Sequence, residues 1–319
     1  MKLLDQSSYT SQMESIVLPY IKARRESGYV ERIPGQKMYY EHLENVNETR
    51  ALVLVHGFTE DVEKFYETAY YFMQMGFSVW LYQQRGHGKS YRSFTKDLSR
   101  VHIDHYEDLV EDLHYFVQEV VMPAEINMPL YYYGHSMGGG VGAIYLETYP
   151  DDFPKAILSS PMLEIDSGKV PAFLEGPIMA VLSLSGETNY LPGGKPFDQV
   201  PDFENSCTNC RPRFNYYFEE IKKDPYKQMS APTVRTAKEF LKIAKTATDP
   251  QNCQKVKAKV LLFQAGQDHT VRPGGENRFI EQIGERGQMV RIEKAKHEIY
   301  RCNNEDMELY WDAIEKFLG

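Results

Sequence analysis

Residues 130–140, Leu-Tyr-Tyr-Tyr-Gly-His-Ser-Met-Gly-Gly-Gly, restrict the fold more than any other stretch of the chain. Leu130 to Tyr133 is an apolar and aromatic run of the right length for a buried strand in a parallel sheet. It breaks at Gly134-His135-Ser136-Met137-Gly138, a G-x-S-x-G spacing. A helical pattern follows, with Val141, Ile144, Tyr145 and Tyr149 on one face and Pro150 closing the run. Strand, sharp turn and helix are the setting in which such a serine becomes a nucleophile at the carboxyl edge of a sheet. Side chains two residues either side of it would collide across the turn, which is why glycine stands at 134 and 138. The helix that follows aims its free N–H groups and positive dipole end at any oxyanion formed there.

The rest of the chain alternates in the same way. A helix is expected over residues 1 to ~25, with Ile16, Val17, Tyr20 and Ile21 as its apolar face, and then a hairpin about Pro34-Gly35. Ala51–Val55 and Phe77–Tyr82 read as buried strands separated by a helix near Val62–Met75; a further helix near Tyr106–Val121 precedes Leu130. Ala156–Ser159, Val260–Gln264 and Met289–Glu293 supply later strands, and Asn304–Leu318 a closing helix. Strands alternating with helices imply right-handed crossovers, hence a mostly parallel central sheet flanked by helices. From about Met162 to Pro250 no clear strand is visible, only helical pieces such as Ala172–Leu184 and Thr233–Lys245. Residues 1–161 and 251–319 are therefore expected to form an α/β core, and 162–250 a largely helical lid.

Composition narrows the partners. A formal net charge of −9 is wrong for a phosphate backbone, so no nucleic-acid partner is expected. With 23 Tyr and 16 Phe there is material for a large core and an apolar pocket. No run approaches the ~18 apolar residues of a membrane span, and MKLLDQSSYTSQ lacks a signal-peptide core; a cytoplasmic protein is expected. The four cysteines, Cys207, Cys210, Cys253 and Cys302, then read as reduced thiols. Cys207-x-x-Cys210 has no second ligand pair to complete a zinc site, so no metal is expected.

A serine hydroxyl needs a histidine base held by a carboxylate, and in an α/β-hydrolase sheet they follow in the order Ser, acid, His. After Ser136 the run Val260–Gln264 ends at Gly266-Gln267-Asp268, making Asp268 the expected acid, with Glu298 and Asp166 as weaker rivals. Only His269 and His297 follow Ser136; His269 adjoins Asp268, so His297 is the expected base. The oxyanion donors are expected to be the N–H of Met137 and that of Phe58, with Thr59 as runner-up for the second. His56, His87 and His135 are expected to organise loops, and Arg85 to pair with a carboxylate in its own loop.

His56-Gly-Phe58, Arg85-Gly-His-Gly-Lys-Ser90, Gly134-His-Ser-Met-Gly-Gly139, Ser160-Pro-Met162, Gly266-Gln-Asp268 and His297-Glu298 stand in one order. Together they resemble the lysophospholipase and monoacylglycerol-lipase branch of the α/β-hydrolase fold. His105-Tyr106-Glu-Asp-Leu109 and Ala295-Lys-His-Glu-Ile299 make the likeness strongest to bacterial lysophospholipase L2-type proteins. The resemblance runs from about residue 28 to 318 and is weakest over the lid. It implies a serine carboxylic-ester hydrolase acting on lipid-like monoacyl esters through an acyl-enzyme, with no cofactor. A small-ester carboxylesterase, an amide hydrolase resembling proline iminopeptidases, and an inactive binding module are the alternatives. The segment Ala172–Leu184 is expected to shelter an acyl chain or to touch a membrane surface transiently; a plain packing helix fits its pattern equally.

Overall fold

The computed structural model describes residues 1–45, 48–168 and 170–319. Eight strands form one sheet: β1 (Arg25–Ile33), β2 (Gln36–Leu43), β3 (Arg50–Val55), β4 (Phe77–Tyr82), β5 (Leu130–His135), β6 (Lys155–Ser159), β7 (Lys259–Ala265) and β8 (Gly287–Ile292). Their spatial order is β1-β2-β4-β3-β5-β6-β7-β8. β2 runs antiparallel to both its neighbours, β1 and β4; the other pairs are parallel, as the alternation of strands and helices requires. The β1–β2 hairpin turns at Pro34-Gly35 as expected.

The central strands are apolar on both faces because helices cover both. In β3, Ala51, Val53 and Val55 face one core, with the helix Glu107–Phe116 and the helix Met137–Thr148. Leu52 and Leu54 face the other, with Tyr66–Gln74, the N-terminal segment and Asn304–Leu318. Tyr132 and Tyr133 divide between the two cores in the same period-two fashion. On the second face Trp311 is buried edge-on against Tyr71 and Phe72, at 5.2 and 5.1 Å between ring centroids. Full burial of each such ring stabilises by about 2–3 kcal/mol.

Three expectations need correction. The N-terminal segment is a chain of short pieces, with a π turn at Met13–Val17, and its buried side chains are Leu4 and, spaced by four, Tyr9, Met13, Val17 and Ile21. Ile16 is exposed: the stripe spaced by four residues, accommodated by that wider turn, displaces the expected face by one position. The helix after β5 is buried on all sides from Met137 to Glu147, since sheet and neighbouring helices enclose it, so it has no single core face. The region 162–250 also contains a strand, Ala231–Pro232, paired with Arg100–Val101. Two residues are too short to show alternation in a sequence.

Between β6 and β7 lie the helices Ala172–Ser183, Arg211–Lys223, Val234–Thr246 and Pro250–Cys253. Thr233 caps the third, accepting from the Thr236 N–H. Its Phe240 and Ile243 join the core beneath the helix after β5. Among the described residues no helix is long and apolar enough to cross a membrane.

Candidate active site

Ser136 sits where β5 gives way to the helix Met137–Thr148, with φ 49° and ψ −114°, a conformation L-residues rarely adopt. Neighbouring backbone holds it there. Ser136 donates its N–H to the Ser159 carbonyl (3.0 Å), and its own carbonyl accepts from Gly140 (3.0 Å) and Met162 (2.9 Å). A Cβ at Gly134 would lie 2.6 Å from the Gly138 oxygen, and one at Gly138 would lie 2.6 Å from the His56 oxygen. Both glycines are thus demanded by close backbone approach, as the motif implied.

Asp268 lies on the turn after β7. Gly266 donates to the Ile292 carbonyl and Gln267 to that of Ala295, both at 2.9 Å, so this turn is tied to the segment after β8. That segment carries His297. Asp268 Oδ2 is 2.6 Å from His297 Nδ1, and Oδ1 accepts from the N–H groups of Thr270 (2.7 Å) and Val271 (3.0 Å). Burial alone would raise the Asp268 pKa; His297 and the two N–H donors outweigh it and hold the carboxyl below its ordinary range. An ionised Asp268 fixes the imidazole proton on Nδ1. Nε2, which has no hydrogen-bond partner among the described residues, is then the basic nitrogen. His297 lies against the elbow: its ring centroid is 4.9 Å from that of His135, the residue before Ser136.

The rivals are occupied elsewhere. Asp166 accepts from Arg272 Nε (3.1 Å) and the Gly168 N–H (2.9 Å), while Glu298 is bound by Lys64 (2.7 Å) and Arg301 (2.8 Å). His269 is exposed.

The loop after β3 carries Phe58. His56 Nε2 accepts from the Gln84 N–H (3.0 Å), so Nδ1 holds the ring proton and donates it to the Gly57 carbonyl (2.7 Å). His87 stands 5.0 Å from His56 and 5.8 Å from Phe58 between ring centroids. Burial lowers the pKa of both imidazoles, keeping them neutral supports of the loop. The Phe58 N–H makes no hydrogen bond among the described residues, and Met137, first in its helix, has no intrahelical acceptor. Arg85 does find carboxylates, but on a helix and not in its own loop. Its guanidinium binds Asp112 at 2.5 Å, because the loop folds back over Glu107–Phe116.

Ser136 and Phe58 open into a cavity of about 590 Å³. Its walls are largely apolar, with Ile178, Met179 and Leu182 from the helix Ala172–Ser183 and Phe240 from the helix Val234–Thr246. The four cysteines are free thiols. Cys207 lies 3.8 Å from Thr270 Oγ1, and burial pushes its thiol up to about 12, so it is unreactive at neutral pH.

Sequence reasoning missed Glu60, Lys64 and Tyr300 behind the site. Their roles rest on partners hundreds of positions away, as in the Tyr300–Glu60 hydrogen bond of 2.8 Å, and a charged residue in a loop reads as solvated.

The sheet order, the elbow and the acid–histidine pair define an α/β-hydrolase of the serine type. The family described as serine aminopeptidase, S33, matches residues 47–305, and the chain belongs to it. It is 27% identical over 262 residues to lysophospholipase L2 of Escherichia coli K12, covering 78% of this chain and 74% of that protein. It is 23% identical over 268 residues to a monoacylglycerol lipase of Mycolicibacterium smegmatis, covering 84% and 87%. The crystal structure of Paleococcus ferrophilus monoacylglycerol lipase superposes with a TM-score of 0.66 at 21% identity, over 87% of this chain and 97% of that one.

Proposed function

We propose that this protein hydrolyses lipid-like monoacyl esters, lysophospholipids or monoacylglycerols, by two acyl transfers through Ser136. The observation that carries the reading is Ser136 opening into a large apolar cavity beside an Asp268–His297 pair closed to 2.6 Å. The activities of the E. coli and M. smegmatis relatives, as their names give them, support the same substrate class.

In the first step His297 Nε2 takes the Ser136 proton as Oγ attacks the ester carbonyl. The Oγ–Nε2 hydrogen bond this transfer needs forms when substrate fills the cavity. Asp268 stabilises the imidazolium, and the N–H groups of Phe58 and Met137 receive the oxyanion. His297 then protonates the leaving alcohol, and water releases the fatty acid by the reverse sequence. No cofactor enters either step. A cavity of about 590 Å³ is within the ~300–1,000 Å³ that encloses most of a small organic ligand, which suits a single acyl chain.

Residues 162–250 act as the lid over a core of 1–161 and 251–319. The inner side of the helix Ala172–Ser183 lines the acyl cavity, while its outer side exposes Phe173 and Val181, with Leu184 just beyond it. That outer side is the surface we assign to contact with a lipid aggregate or membrane. A second reading, amide hydrolysis, draws on the family's description and on Glu175. This carboxylate lines the cavity, accepts from Ser167 Oγ (2.5 Å), and suits a substrate amine.

Fluorophosphonate labelling tests the mechanism. Wild type is expected to label, Ser136→Ala not at all, and Asp268→Asn and His297→Ala far more slowly. Ester turnover should fall by at least ~10⁴-fold for Ser136→Ala. A folded wild type that does not label sinks the nucleophile. Long-chain monoacylglycerol and lysophospholipid assayed beside an aminoacyl amide decide between the two substrate readings.

A further inference from the structure

The polar groups behind the site converge on one carboxylate. Glu60 is almost fully buried, yet each of its oxygens accepts two hydrogen bonds. Oε2 accepts from the Gly57 N–H (2.6 Å) and faces His135 Nδ1 (3.0 Å); Oε1 accepts from Lys64 Nζ (2.7 Å) and the Tyr300 hydroxyl (2.8 Å). These donors belong to three separate parts of the catalytic apparatus. Gly57 immediately precedes Phe58, the proposed oxyanion donor. His135 immediately precedes Ser136, and its Nε2 lies 3.4 Å from the His297 carbonyl oxygen. Tyr300 lies three residues after His297, in the short 3-10 turn Ile299–Arg301, and Lys64 also binds Glu298, the next residue after His297 (2.7 Å).

We infer that Glu60 is a positioning residue that sets the oxyanion loop, the nucleophile and the base relative to one another through a single buried carboxylate. The inference rests on the reading of Ser136 as nucleophile and of Phe58 as oxyanion donor. Glu60 accepts the Gly57 N–H and so turns that peptide away from the cavity, leaving the next N–H, that of Phe58, to point elsewhere. Only glycine fits at this point: a Cβ at Gly57 would lie 2.8 Å from Glu60 Oε2, 2.9 Å from His135 Nδ1 and 3.0 Å from Ser136 Cβ. Thr59, at φ 57°, completes the reversal that brings Glu60 back under Gly57. Burial opposes the charge of Glu60, but Lys64 and His135 outweigh it and hold the carboxyl well below its ordinary range, so it is an acceptor at neutral pH.

The test pairs Glu60→Gln with Tyr300→Phe. The amide keeps the shape but replaces one acceptor oxygen with a donor that must face a donor. The phenyl ring keeps its stack on Phe65 (4.5 Å) and loses only the hydroxyl. Both are assayed on a short soluble ester and on the matching thionoester, with the active fraction titrated by fluorophosphonate and folding followed by thermal melting. Oxyanion donors set for oxygen serve the larger, weakly accepting sulfur poorly, so wild type should strongly prefer the oxygen ester. For Glu60→Gln we expect kcat to fall about 10²-fold with KM within about threefold, the cost of a misplaced oxyanion donor. The preference for the oxygen ester should shrink in parallel. Tyr300→Phe should move both quantities the same way by a smaller factor, and it decides the matter alone if Glu60→Gln does not fold. A purely structural Glu60 predicts lowered melting temperatures with kcat per titrated site and oxygen preference within twofold of wild type, which would overturn the inference. Wild type that fails to label at Ser136 overturns the nucleophile reading and this one with it.

Discussion

Two parts of the insertion between β6 and β7 are fixed by opposite means. Its later part, around Arg211–Lys223, is fastened by buried polar contacts. Arg213 is fully buried; its guanidinium grips Glu67 at 2.7 and 2.9 Å and donates to the Cys302 carbonyl and to Asn304, both at 3.0 Å. Thr208 and Asn209 reach the same C-terminal segment, and the Cys207 carbonyl accepts from the Glu298 N–H at 2.8 Å, next to the proposed base. The earlier part, Ala172–Ser183, does the reverse. Phe173 is 78% exposed and Leu184, just after the helix, 87%, while among the described hydrophobics of this helix Met179 is the buried one. Charge has gone inside where the chain is held, and apolar surface outside on the face we propose for lipid contact. The first arrangement ties the His297 segment to the insertion; the second leaves an apolar face exposed.

The strongest way to break this contrast is Arg213→Met. It strands the Glu67 carboxylate in the core, and thermal or urea unfolding should show a loss of about 3–5 kcal/mol. A loss under 1 kcal/mol would mean that the anchor is ornamental. Replacing Phe173, Val181 and Leu184 together by Ser should leave stability nearly unchanged, within about 0.5 kcal/mol per site. Hydrolysis of long-chain monoacylglycerol in vesicles should fall roughly tenfold, the effect of about 1.4 kcal/mol of lost surface affinity, with turnover of a short soluble ester unaltered. Equal losses on both substrates would make this helix a packing element.

The smallest effect concerns buried carboxyl groups that lack a cationic partner of the kind Arg213 gives Glu67. Glu147 and Glu276 are pushed up to about 8, chiefly by burial. Each is protonated in the folded state, so its stability contribution is intact below its unfolded pKa near 4.5 and is lost as pH rises towards 8. Glu147→Gln should therefore raise the melting temperature at pH 8 by a few degrees and change it little at pH 4. A shift of equal size at both pH values would refute the titration.

What could be read in the sequence follows from how local each signal is. β3, β4, β5 and the elbow announce themselves in short apolar runs ended by glycine, and the order Ser136, Asp268, His297 needs only the succession of strands. Arg213 and Glu67 lie 146 positions apart, and Glu60 and Tyr300 240. No spacing rule joins such pairs, and a lone charge is read as solvated by default. Arg85 shows the intermediate case: a carboxylate partner was expected, but the helix that supplies Asp112 is known only once the loop has folded. The π turn at Met13–Val17 escaped because its side chains still repeat at nearly helical spacing.

The chain order of the site has a consequence for the protein's birth. Ser136 leaves the ribosome early, on a strand that the central sheet can take up at once. Asp268 and His297 follow only after the whole insertion has been made, and the turns that hold them are tied together by bonds to Ile292 and Ala295 at the end of β8. The proposed nucleophile is thus made well before the proposed base, with the whole insertion in between. On the proposed mechanism it is activated only once β8 pairs with β7 and brings the His297 segment to the Asp268 turn.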